Sequence, residues 1–142
     1  MTTAASQPIS RPVFSITMLI ATLVALSASV GVVSAAGGGS DLAMLVGGLA
    51  VLAGLASLAT LVGPPLLPNE YWGMAVLAVS GARTMLALGA MMVLIEFAGF
   101  ERRAVVFGVL SGTAILMIAE AAAAVILLNK RERDHAALRS VP

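Results

Sequence analysis

Long apolar runs alternate with short polar or Gly/Pro breaks along the whole chain. The runs cover Val13–Ala36, Asp41–Gly63, Tyr71–Ala98 and Ala104–Asn129. Each exceeds the ~20 residues that a helix needs to cross a hydrocarbon core of ~30 Å. Spanning strands would be about half as long and would alternate, and lipid admits only helices or closed barrels because the backbone must satisfy itself. The pattern predicts an all-α fold, an integral membrane bundle of four transmembrane helices. Residues 1–12 form an N-terminal arm, 13–129 the four-helix domain and 130–142 a basic tail.

The breaks carry helix-end chemistry. In "AAGGGSD", glycines stop the first helix and Ser40 or Asp41 can cap the second. "GPPLLPNEYW" ends the second helix at Gly63, Pro64 and Pro65, and Asn69 or Glu70 starts the third. "AGFERR" is a tight turn into the fourth. Such short connections make successive helices antiparallel neighbours. The first run has a rival reading: Arg11, an apolar stretch and "SAAG" resemble a secretory signal cleaved after Ala36.

Composition narrows the class further. The 142 residues are 60% hydrophobic and only 11% charged, too polar-poor to surface a soluble domain. A net charge of +1 gives nucleic acid nothing to bind. With no cysteine, disulfides, thiolate metal sites and cysteine catalysis are excluded. No nucleophile–base pair, metal-ligand cluster or phosphate loop stands in the sequence, so neither catalysis nor a cofactor or metal is expected. The single histidine, His135, lies in the tail, where solvation explains it.

Charge also sets the expected orientation. Arg11, Lys130, Arg131, Arg133 and Arg139 share one side of an even-numbered bundle, and Arg102 and Arg103 lie on the other. This bias places both termini in the cytoplasm, across a plasma (inner) membrane. Tyr71 and Trp72 then fall at the inner interface and Phe97 and Phe100 at the outer one, as aromatic belts do.

Two ionisable residues lie deep in the spans, Arg83 and Glu120. A charge at a helix centre costs about 2.5–3.5 kcal/mol on insertion scales, so such residues face the bundle and find partners. Arg83 lies roughly 21 Å along its helix from Phe97, and Glu120 roughly 24 Å from Ala104, at ~1.5 Å per residue. Across a tight turn this brings the two within about 3 Å in depth. The expectation is an intramembrane Arg83–Glu120 ion pair, with helices three and four forming the closest contact of the bundle.

Small residues surround both positions: Ser80, Ala87 and Ala90 near Arg83, and Ala123, Ala124 and Thr113 near Glu120. "GVLSG" places Gly108 and Gly112 at GxxxG spacing, and Ala50 and Gly54 repeat that spacing in the second run. Small residues let helices approach closely in lipid, so these are helix-packing candidates. The ion pair can serve to fix helix register, to handle ions, or to meet charged groups of another membrane subunit. The tail "NKRERDHAALR" reads as a positive-inside anchor or as a helix for a partner.

Several of these features resemble ATP synthase protein I: four spans, "GGLAVLAG" in the second, "SGART" in the third, and "EAAAAVILLNK" with a short basic tail in the fourth. In this chain Gly81 is followed by Ala82, and Arg83 comes next. The resemblance implies a non-catalytic accessory of the rotary ATP synthase membrane sector that helps the rotor ring assemble, and an association with divalent-cation supply. Its partners would be the lipid bilayer and other membrane subunits, rotor subunits among them, or further copies of the chain. The other function expected of the sequence is a small proton- or cation-coupled transporter or channel that uses Glu120.

Overall fold

The computed structural model describes residues 11–62 and 72–139. These form four helices, α1 (Arg11–Ala35), α2 (Ser40–Val62), α3 (Trp72–Glu96) and α4 (Arg102–Arg139), with no strand among the described residues. All four contain a stretch long and apolar enough to cross a membrane. The chain is therefore a multi-pass helical membrane protein. The prolines and Gly63 assigned to the end of α2, with Asn69, Glu70 and Tyr71 before α3, lie outside the described residues, as does most of the N-terminal arm.

The two short turns close by backbone chemistry. After α1, Gly37 adopts φ 81°, a left-handed conformation that costs glycine little. Gly38 N–H then donates to Val33 O (2.8 Å) and Gly37 N–H to Ser34 O (3.2 Å), the paired bonds of a Schellman ending. Gly99 (φ 68°) plays the same turning part after α3. The first intrahelical bond of α2 is accepted by Gly39 O from Ala43 N–H (3.1 Å). Gly39 therefore takes the capping position expected of Ser40 or Asp41. Asp41 instead lies in the first turn, where a carboxylate complements the helix dipole.

The last helix does not stop at Asn129. Its 38 residues span about 57 Å, so the part beyond the hydrocarbon window at Ile126 projects by about 20 Å. The expected domain and tail are thus one continuous helix through Arg139.

In cross-section α2 and α4 form the short diagonal of the bundle, with α1 on one side and α3 on the other. The expected closest contact, α3 with α4, is not the most extensive one. That place belongs to α1, against both α2 and α4. The physical reason is notching. A side chain on Gly54 of α2 would collide with Thr22 of α1, and one on Gly47 would meet Leu26 (2.8 Å) and Val30 (3.0 Å). On α4, side chains at Gly108 and Gly112 would strike Val33 and Ser29 of α1. Glycine lets the backbones close in, and dispersion contacts accumulate. Among the described residues no comparable notch faces α3: side chains on its own Gly73, Gly81 and Gly89 would meet nothing within 4 Å.

Two core layers result. Phe14, Met18, Ala25, Leu116 and Ala123 fill the layer nearer the termini, and Val33, Leu42, Val46, Met91 and Val105 the layer nearer the short turns. Many of these come from α1. Cleavage after Ala36 would therefore remove half of the buried residues of the layer nearer the termini, and Val33 from the other.

The packing distinguishes two glycines of one helix. Gly54→Leu is expected to cost about 1–3 kcal/mol by overpacking against Thr22. Gly48→Leu, directed into open space, should be tolerated. Thermal denaturation in detergent, followed by size-exclusion profile, checks this; equal loss in both variants would refute the notched interface.

Candidate functional site

The polar centre of the bundle is assembled by equal depth on three helices. Arg83 lies about 20 Å from the Glu96 end of α3, Ser57 about 26 Å from the start of α2, and Glu120 about 27 Å from the start of α4. These helix ends lie on one side of the bundle, so the three residues share a level that one arginine side chain can bridge.

Arg83 Nη1 donates to Glu120 Oε1 and, at 2.9 Å, to Ser57 Oγ. Its Nη2 lies 3.5 Å from Ser80 Oγ, one turn earlier on α3, at the outer limit of hydrogen-bond distance. The ion pair is sealed from the surroundings: Arg83 is 7% exposed and Glu120 1%. The guanidinium is thus held by a carboxylate on α4 and a hydroxyl on α2, which ties α3 to both. Two atoms of the pair, Arg83 Nε and Glu120 Oε2, have no bonded partner.

The small residues singled out in the sequence gather next to this centre. Ala50 of α2 faces Gly112 of α4, where an added side chain would lie 3.5 Å from the Ala50 Cβ. Gly108 and Gly112 also face α1, and Gly54 faces Thr22. Ala50 and Gly54 therefore line two different interfaces, one toward α4 and one toward α1. Phe97 is 87% exposed, whereas Phe100 is half-buried and packs on the core layer beside the turns. The side chain of Trp72 lies outside the described part, as do Tyr71 and the His135 side chain.

Ser57 and Ser29 were missed in the sequence. The same depth reckoning that pairs Arg83 with Glu120 finds Ser57 when extended to hydroxyls. Ser29 has a subtler signature. On the same helix Thr17, Thr22, Ser27 and Ser34 each donate to the carbonyl four residues earlier, at 2.7–2.9 Å. Ser29, fully buried, does not: its Oγ is packed against Gly112 and has no bonded partner.

Beside this centre is a cleft of about 400 Å³ between α2 and α3, backed by α4 and reaching Ser29 of α1. Alanines, leucines and valines form most of its wall, and Arg83, Ser57, Thr113 and Ser29 are its polar members. No cluster of three metal-ligating His, Cys, Asp or Glu side chains occurs among the described residues.

No protein-family model, curated protein or solved structure matches the chain.

The pair invites a double-mutant test. Glu120→Gln should cost about 3–5 kcal/mol, because a buried guanidinium loses its counter-charge. Arg83→Met combined with Glu120→Leu should recover much of that loss, since apolar residues need no counter-ion. The readout is folded yield and melting in detergent. A double variant no more stable than Glu120→Gln alone would show that charge pairing is not what the fold requires here.

Proposed function

We propose that the chain is a small non-catalytic accessory or assembly protein of a larger membrane complex. The partner that the sequence resemblance suggests is the membrane sector of ATP synthase, with rotor subunits the first to be sought. The observation that carries this reading is the closed state of the polar centre. The deep cation and the deep carboxylate neutralise one another, and Ser57 adds a further bond. A pair spent in this way fixes the register of three helices. A scaffold needs that, and an ion pathway would instead keep a group open to its ion.

One observation favours the second reading, a proton- or cation-coupled transporter or channel. Glu120 Oε2 is buried without a bonded partner, and an oxygen so placed can take a proton or meet a cation.

The two readings part in the Arg83→Met, Glu120→Leu variant. An accessory protein whose pair is structural keeps its function in cells lacking the native copy whenever the variant folds. A transporter that works through Glu120 yields a folded but inactive protein, and ion flux in proteoliposomes of the parent. Mild-detergent purification with identification of co-purifying proteins tests the partner. Stable capture of rotor subunits is expected, and their absence would refute the ATP synthase assignment.

The positive charges support an inner-membrane location with both termini in the cytoplasm. A reporter fused at Pro142 should then be active only in its cytoplasmic form. Activity restricted to an extracytoplasmic reporter would reverse the orientation.

A further inference from the structure

Helix α3 is the least apolar of the four spanning stretches and the least buried. It offers hydrocarbon eight Leu, Ile and Val residues, and it carries Arg83 at mid-span together with Ser80, Thr84 and three glycines. Each apolar residue gains a little on entering the bilayer, and a central arginine costs several times as much. Summed over α3 the gains and the cost are of the same order, so the helix alone has little net preference for the membrane. The spanning stretch of α4 has ten Leu, Ile, Val and Phe residues to offset Glu120.

Arg83 cannot lessen that cost by itself. It lies about 16 Å from the start of α3 and about 20 Å from its end, at ~1.5 Å per residue, too far for its side chain to reach either interface. Ser57 of α2 accepts a hydrogen bond from it but carries no charge. The counter-charge comes from Glu120, which follows α3 in the chain across the short turn at Gly99. The two partners differ in one respect. A lone glutamate can take up a proton and stay in hydrocarbon neutral, whereas an arginine keeps its charge.

We propose that α3 is a conditional span. It holds its transmembrane position only while Glu120 meets Arg83, and it enters the bilayer with α4 as one hairpin. Loss of the carboxylate lets α3 leave the membrane, while α1 and α2, packed on each other through Gly47 and Gly54, stay in place. This is independent of which complex the protein serves.

Single cysteines at exposed positions beside the two short turns, Ser40→Cys and Ala98→Cys, test this in the full-length protein, which has no cysteine of its own. A membrane-impermeant maleimide is applied to intact cells and to sealed inverted vesicles made from them. In the parent both cysteines should label from the same side. In Glu120→Leu, the cysteine at 98 should lose about half of its labelling from that side and gain it from the other, as befits a helix with no net preference. The cysteine at 40 should keep all of its labelling. Arg83→Met also breaks the pair, yet it should leave position 98 labelled as in the parent, because α3 then has no charge at mid-span. The double variant Arg83→Met, Glu120→Leu should do the same. Undiminished labelling at 98 in Glu120→Leu would overturn the proposal. So would equal losses in Arg83→Met and Glu120→Leu, or a matching loss at 40, since these mark a general failure of the fold.

Discussion

A guanidinium in hydrocarbon has to be satisfied from within the protein, and much of this bundle follows from that constraint. Arg83 is the one arginine or lysine deep in a span, and it is met from two other helices. Glu120 cancels its charge and Ser57 accepts a further hydrogen bond. Each partner fixes the axial position of its own helix, since a shift of one residue would move the group by about 1.5 Å and turn it by about 100°. Three helices are thereby held in register by one side chain.

The rest of the bundle is held differently. Between α1, α2 and α4 the helices approach through glycine notches filled by Thr22, Val33 and Ser29. In lipid this close fit replaces the hydrophobic effect as the source of association. Helix α3 has little of it. Its spanning stretch is the least buried of the four, and a cleft separates it from much of α2. Its seat depends on Met91 and Leu94 near the turn, Val76 near the other end, and the polar contacts of Arg83 between them. The bundle thus joins a close-packed trio to a fourth helix attached largely by charge and hydrogen bonding.

The spans could be read from the sequence because twenty apolar residues in a row have few other uses, and Arg83 and Glu120 because charges deep in such runs are conspicuous. The turns after α1 and α3 were marked by Gly37 and Gly99 in glycine-containing breaks. What escaped was the rotation of each helix about its axis. No face of α2 or α3 is markedly more apolar than another, so no pattern says which side meets protein and which meets lipid. The prominence of α1 was hidden because the faces of α2 and α4 that receive it are marked only by scattered glycines. Ser57 could have been found by depth. Ser29 could not, because its orientation depends on the glycine that happens to face it.

The central claim is that polar pairing, more than apolar packing, seats α3. The chain has no cysteine, so spin labels can be placed at chosen positions without removing native thiols. Electron–electron distances would be measured between Leu55 of α2 and Leu77 of α3, and between Leu23 of α1 and Leu55, all on exposed positions. In the parent both distributions should be narrow. In Glu120→Gln the α2–α3 distribution should broaden toward longer distances while the α1–α2 distribution holds. An α2–α3 distance unchanged by that substitution, or two distributions that broaden together, would contradict the account.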